Sequence, residues 1–303
     1  MKLNARGGVS ILELGVFLPS LAIATIICSR HGFGRSSGWV FTLILCLVRI
    51  IGACCQLATY HDQSQGLLEA TIILDSIGIS PLLLATLGLL SRCVDSINST
   101  SKPMLGAVHF RVIQLFITVG LILSIAGGTS SVSSTGVYKT QTTSEVGIVL
   151  YIIAYMALLF VAFVSLSNVS NIACGERWLF WAVVTAMPLI LVRLVYSLLL
   201  VFHHSHTFNV LSGSVTVLVV MAVVEEILVT FIYLFVGWKT EAAPKSYARP
   251  IESRPWKRSA AQPAASAAGT ERQGRHGIRQ GPIHQLVGLA VAAARGDEEH
   301  GGR

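Results

Sequence analysis

Residues 146–166, VGIVLYIIAYMALLFVAFVSL, contain no charged side chain and form one continuous apolar run. A helix of about 20 such residues crosses the roughly 30 Å of hydrocarbon in a bilayer. Backbone polar groups need internal partners in lipid, and barrel strands are only about half this long, so each run of this length indicates a helix. Together with comparable runs elsewhere, the sequence predicts an all-α bundle of seven transmembrane helices, near residues 9–28, 38–60, 67–90, 105–127, 146–166, 178–202 and 211–237.

The overall composition excludes a pair of soluble domains, which the length of 303 residues would otherwise suggest. Apolar residues make up 53%, charged residues only 12%, and the mean hydropathy is +0.68, whereas soluble domains carry about 25% charged residues. Residues 239–303 differ from the rest, with 11 Lys/Arg, 6 Asp/Glu and much Ala, Gly and Pro. We therefore predict a membrane domain over residues 1–238 and a disordered, basic cytosolic tail over residues 239–303.

The distribution of Lys and Arg between the loops predicts the orientation, because cytoplasmic loops carry the excess. With the N-terminus outside, eleven basic residues flank the spans on the inner side and three on the outer side. The topology is therefore predicted as N-out/C-in. The first run also resembles a secretory signal peptide. Its removal would leave six spans and place the basic tail outside, so we expect it to be retained.

Two glycosylation sequons, at Asn98 and Asn168, fall in loops predicted to be cytoplasmic. We expect both to be unmodified, and glycosylation of either would indicate the inverted topology.

Ionisable residues within the spans are the informative part of the sequence. Each costs at least about 2.5 to 3.5 kcal/mol at membrane depth, so such residues tend to face the bundle and to pair. At 1.5 Å per residue, Arg111 lies near the inner surface, and Glu13 and Glu69 lie near the outer surface. The deeper group is predicted to form a polar cluster opening outward, and it comprises Arg49, Asp75, Arg193, Glu225 and Glu226.

Prolines interrupt two of the helices that carry these charges. Pro81 cannot donate to the carbonyl of Ile77, and Pro188 has the same effect on Val184, so both helices should bend. Irregular backbone at membrane depth is tolerated where it lines a cavity or is buried in protein. The pattern therefore predicts a pocket, although structural ion pairing without any ligand explains the same arginines equally well.

Several short strings in the spans together resemble an uncharacterised family of fungal seven-helix integral membrane proteins, catalogued as a domain of unknown function. The resemblance covers about residues 9–238. It implies a fungal multi-pass protein with N-out topology, some of whose relatives lie among secondary-metabolite biosynthetic genes, and it implies no activity. The strings are Arg49-Ile50-Ile51-Gly52, Ile79-Ser80-Pro81-Leu82-Leu83-Leu84 with Gly88-Leu89-Leu90, Arg193-Leu194-Val195-Tyr196 after Pro188, and Met221 with Glu225-Glu226 before Gly237.

The leading hypothesis is that the protein binds or moves a small hydrophobic or amphipathic molecule, as an accessory of secondary metabolism. Its partners would be that molecule and membrane lipids of the plasma membrane or an endomembrane. No nucleic acid, cofactor or metal is predicted, since no phosphate-binding, dinucleotide or metal motif occurs. The predicted ligand-binding residues are Arg49, Asp75, Arg193, Tyr196, Glu225 and Glu226.

Two alternatives remain open. Seven spans and an inner tail are typical of a receptor. A membrane-embedded enzyme is also compatible, with Asp75, Glu225 or Glu226 as the general acid of a terpene-cyclase-like reaction. The neighbouring arginines oppose that chemistry, because they attract the charged form of a carboxyl group.

Overall fold

The computed structural model describes residues 5–32, 37–61, 64–100, 105–130, 142–169, 172, 176–202 and 218–240. The predicted disorder of residues 239–303 therefore lies almost entirely outside the described residues. The helices are α1 (Ala5–His31), α2 (Ser37–Ala58), α3 (Gln65–Ile77), α4 (Ile79–Thr100), α5 (Ala107–Ser130), α6 (Thr142–Leu166), α7 (Arg177–Phe202), a π-helix (Val219–Val223) and α8 (Val224–Lys239).

The described helices contain seven spans long and apolar enough to cross a membrane, which confirms the predicted fold class. The third predicted span, 67–90, is longer in the structure and consists of α3 and α4 in succession. α4 continues to Thr100 because its polar final turns still bury Cys93, Val94 and Ile97. The length of an apolar run therefore underestimates the length of a helix whose last turns are amphipathic.

Helix α4 lies at the centre of the bundle. It packs against α2, α5, α6 and α7, while α1 packs on α2 and α8, and α5 packs on α6. Every residue from Gly78 to Ser91 is buried. Elsewhere the large apolar side chains that remain exposed, such as Phe160, Phe163 and Phe235, are those expected to face lipid.

Polar side chains join the helices at the end of the bundle that contains the C-termini of α1 and α8. The hydroxyl oxygens of Thr86 and Tyr233 lie 2.7 Å apart. The indole nitrogen of Trp39 donates to the Tyr233 carbonyl at 3.2 Å, and His31 Nε2 lies 3.2 Å from the Gly237 carbonyl oxygen. Hydrogen bonds of this kind hold helices together in lipid, where burial of apolar surface provides no driving force between them.

The same end carries aromatic rings with basic neighbours. Lys239 Nζ lies 4.3 Å from the ring centroid of Trp178, and the Arg30 guanidinium lies 5.5 Å from that of Trp238. Both tryptophans are exposed. Tryptophans are enriched at membrane interfaces and basic residues on the cytoplasmic side, so this arrangement supports the predicted N-out/C-in orientation.

The orientation is tested by glycosylation of added acceptor sites. An acceptor in an extension placed ahead of Met1 is expected to be modified and to shift the mass of the protein, because the N-terminal end faces the lumen during insertion. The same acceptor appended after Arg303 should remain unmodified. Modification of the C-terminal acceptor alone would establish the opposite topology.

Candidate functional site

The centre of the site is Glu226 on α8, whose side chain is completely buried between two arginines. Arg49 on α2 donates to both carboxylate oxygens of Glu226 through Nε and Nη2. Arg193 on α7 donates from Nε to Oε1 at 2.7 Å. A guanidinium group that binds a carboxylate through two nitrogens fixes the geometry as well as the charge. Three helices are therefore joined at one carboxylate.

Asp75 on α3 connects a fourth helix to this centre. Its Oδ1 accepts a hydrogen bond of 3.0 Å from Arg49 Nη1, and its backbone carbonyl accepts one of 3.0 Å from Arg193 Nη2. Arg193 Nη1 donates to the hydroxyl of Ser197 at 2.8 Å, and the Arg193 guanidinium lies 5.6 Å from the ring centroid of Tyr196. All three nitrogens of each guanidinium thus have an acceptor within the protein.

Glu13 on α1 brings a fifth helix into contact with the same group, since its Oε1 lies 3.7 Å from Arg49 Nη1. The residue is only 8% exposed. Helix α1 begins at Ala5, so Glu13 lies about 12 Å along the axis from the helix start. The residues Glu13, Arg49, Asp75, Arg193 and Glu226 are called the charge cluster below.

The break between α3 and α4 makes room for the charge cluster. A Cβ atom added at Gly78, between these helices, would lie 2.9 Å from Arg49 Nη2 and 3.1 Å from Glu226 Oε1. The bend before Pro81 was expected to leave the Ile77 carbonyl free, but Ser80 Oγ donates to it at 2.9 Å. Gly78 therefore permits the side chains of Arg49 and Glu226 to approach the backbone between α3 and α4. Ser80 donates to the Ile77 carbonyl, which Pro81 leaves without a backbone donor.

A π-helical turn over Val219–Val223 precedes the cluster residue of α8, and the Val224 N–H bonds to the carbonyl five residues back, that of Val219. A π turn accommodates one extra residue, and such turns occur frequently at functional sites. Within α8, Glu226 shares the buried face of the helix with Val229 and Tyr233, three and seven residues later. Glu226 enters the cluster, whereas Glu225 does not.

A cavity of about 700 Å³ lies against the charge cluster and extends toward the end of the bundle where α1 begins. This volume is within the range of about 300 to 1,000 Å³ that is typical of small-molecule sites. Arg49, Asp75 and Arg193 line its deep part. The remaining walls combine hydroxyl-bearing and apolar side chains, among them Ser76, Tyr151, Tyr196, Leu68, Ile72 and Leu200.

The structure places the predicted site residues in two groups. Arg49, Asp75, Arg193 and Tyr196 line the cavity. Glu226 lies behind the two arginines and is not a lining residue. Glu225 is also absent from the lining, and its Oε2 is buried without a hydrogen-bond partner among the described residues. The binding and catalytic roles assigned to these six positions remain predictions.

Glu13 and Gly78 belong to the site in the structure but were not among the site residues predicted from the sequence. Glu13 was placed near the outer surface because the apolar run starts at residue 9, but the helix itself starts four residues earlier. Gly78 carries no sequence signal of its own beyond its position between Asp75 and Pro81. Among the described residues no group of three or more His, Cys, Asp or Glu could hold a metal ion, and the histidines at 203, 204 and 206 lie outside the described ranges.

Comparison with known proteins identifies a family but no activity. The family model described as "Domain of unknown function (DUF7702)" matches residues 3–243, which include the whole charge cluster. No curated protein and no solved structure matches the chain.

Proposed function

The chain belongs to the family of the domain of unknown function DUF7702, and we propose that it binds a small amphipathic molecule in the cavity beside the charge cluster. The observation that carries the proposal is a cavity of about 700 Å³ inside a seven-helix bundle, with ionised groups at its deep end and mixed walls elsewhere. Cavities with a few convergent polar groups on largely apolar walls are typical of ligand sites.

The charge cluster supports this function by fixing the deep end of the cavity. Five helices contribute to it, so the positions of Asp75 and Arg193 depend on the packing of the bundle as a whole. Sites held by mutually bonded side chains on helices are more precise than sites on loops. A ligand that binds one arrangement of those helices more tightly than another would shift the bundle toward it, as transport requires.

The arrangement favours binding over acid-initiated catalysis. A general acid must carry a transferable proton in contact with the substrate. The oxygens of Glu226 already accept three guanidinium N–H groups, and a carboxyl proton would compete with those donors. Glu226 is also separated from the cavity by Arg49 and Arg193. Of the three carboxyls considered for catalysis, only Asp75 lines the cavity.

The proposal is tested by filling the cavity. Ser76 lines it, is exposed, and among the described residues its hydroxyl donates to the carbonyl four residues back. Ser76→Phe is expected to lower the amount of any co-purifying small molecule at least about tenfold relative to wild type, since an aromatic ring occupies the ligand's volume. The measurement is mass spectrometry of compounds extracted from purified protein, compared with empty membrane preparations.

Thr118→Phe is the matched control. Thr118 is exposed on α5, bonds to the carbonyl four residues back at 2.8 Å, and is not a lining residue. This variant should retain the wild-type complement of bound molecules. Equal retention by Ser76→Phe and Thr118→Phe, with both proteins folded, would contradict the proposal.

A role as an accessory of fungal secondary metabolism is the finer form of the proposal, and it rests on the family resemblance of the sequence. Deletion of the gene should then change the profile of small molecules inside or outside the cell. An unchanged profile in both compartments would remove this role but would leave ligand binding to be judged by the cavity variants.

A further inference from the structure

We propose that the ligand is a protonated amphipathic amine, whose ammonium group binds between Asp75 and Glu13 while its apolar part lies along the cavity walls. This inference rests on the proposed function and adds the chemical class of the ligand. It is carried by the distribution of donors and acceptors at the deep end of the cavity.

The two arginines of the cluster are committed to acceptors within the protein. Arg49 donates to Glu226 and to Asp75 through its three nitrogens. Arg193 donates to Glu226, to Ser197 and to the Asp75 carbonyl. An anionic ligand would have to displace carboxylates that already bind these guanidinium groups. The arginines therefore act as supports for the carboxylates rather than as receptors for an anion.

Carboxylate oxygens, in contrast, remain available toward the cavity. Asp75 uses Oδ1 for Arg49, and its side chain is 44% exposed where it lines the cavity. Glu13 also lines the cavity, with a side chain only 10% exposed. Its one ion pair among the described residues is with Arg49 Nη1 at 3.7 Å, which is longer than a hydrogen bond. A buried carboxylate with unused acceptor capacity needs a donor, and the cavity is where a donor can enter.

The formal charges agree with this assignment. The charge cluster contains three carboxyl groups and two guanidinium groups, so a single added cation balances it when all five groups are ionised. Arg6 also lines the cavity, but it precedes Glu13 by seven residues on α1 and therefore lies about 10 Å further along the axis. The deep end of the cavity thus has more carboxyl groups than guanidinium groups.

The walls next to the carboxylates suit an ammonium group that carries an apolar substituent. Tyr151 and Tyr196 are among the lining residues, and the Arg193 guanidinium 5.6 Å from the Tyr196 ring centroid shows that this wall already attracts a cationic group. Leu68, Ile72 and Leu200 provide apolar surface further along. A molecule with one cationic end and one apolar end matches both the carboxylates and the apolar walls of the cavity.

The test uses three probes of similar length that share a phenylalkyl body, phenylbutylamine, phenylbutanol and phenylbutyrate, with the full-length protein in phosphatidylcholine nanodiscs. Binding is measured by calorimetry, with empty nanodiscs subtracted to remove partitioning into lipid. The amine is expected to bind about tenfold more tightly than the alcohol, because a charge-assisted hydrogen bond is stronger than a neutral one. The carboxylate should bind most weakly.

Asp75→Asn and Glu13→Gln should each reduce the affinity for the amine about tenfold and leave that for the alcohol unchanged. Both replacements keep an oxygen that can accept from Arg49, so the cluster retains its geometry. Glu69→Gln is the matched control, because Glu69 lies on α3 with Asp75 but is not a lining residue. It should bind all three probes as wild type does.

The outcomes separate the inference from the proposed function. Binding of the alcohol as tight as that of the amine, blocked by Ser76→Phe, would overturn the amine assignment and leave the cavity as a ligand site. Tighter binding of phenylbutyrate would overturn it in the same way and would assign the arginines to the ligand. Failure of all three probes to bind would overturn both conclusions.

Discussion

Glu226→Gln is expected to destabilise the protein by about 3 to 5 kcal/mol, the largest effect of any substitution in the charge cluster, because it removes the carboxylate that Arg49 and Arg193 share and leaves Arg193 without a counter-ion among the described residues. Arg49 and Arg193 are only 4% and 3% exposed, so water replaces the lost carboxylate poorly. The measurement is the temperature at which detergent-solubilised protein loses its monodisperse elution on size exclusion. We expect a large decrease or no recoverable folded protein.

The adjacent residue is the control for this prediction. Glu225 has the same side chain and nearly the same depth, but among the described residues Arg49 and Arg193 pair with Glu226 and not with Glu225. Glu225→Gln should therefore lose its monodisperse elution at a temperature close to that of wild type. If Glu226→Gln and Glu225→Gln were equally stable, the central role of Glu226 in holding α2, α7 and α8 together would be wrong.

Gly78→Val is expected to have the second largest effect, through sterics alone. The backbone at Gly78 has φ −51° and ψ −30°, which any residue adopts, so the substitution introduces no backbone strain. An added Cβ would lie 2.9 Å from Arg49 Nη2 and 3.1 Å from Glu226 Oε1, and a branched side chain would intrude further. Forcing atoms into a filled site costs about 1 to 3 kcal/mol or more.

The matched control is Gly52→Ala, at a glycine on α2 that also lines the cavity. Its Cβ would meet Leu74 Cβ at 3.5 Å, an ordinary contact. We expect it to be neutral or to stabilise by up to about 1 kcal/mol, since alanine is favoured over glycine within a helix. The thermal stability of Gly78→Ala should lie between that of Gly52→Ala and that of Gly78→Val. A thermal stability for Gly78→Val equal to that of Gly52→Ala would refute the steric requirement.

The seven spans could be predicted from sequence because the bilayer imposes a length and a polarity on each helix independently of the others. The same local rule identified Arg49, Asp75 and Arg193, since a charge within an apolar run is visible without knowledge of its partner. It also located the interruption before Pro81, because the missing N–H acts within one turn of its own helix.

Other features of the site depend on how the helices meet. The rise per residue placed Glu13 near the surface, but its contact with Arg49 depends on where α1 begins and how it packs on α2. The use of Gly78 as the point of closest approach follows from the position of side chains on α2 and α8. No local pattern in the sequence contains that information.

The sequence by itself determined that this chain is a helical membrane protein carrying acids and arginines at a similar depth, because insertion energy depends on each segment alone. Only the tertiary structure decided which glutamate is used. Glu225 and Glu226 are chemically identical, and the packing of α8 against α2 and α7 shows that Glu226 is the one that faces the arginines. It also decided that both arginines bind carboxylates of the protein, because pairing between helices is a property of their packing and not of any one helix.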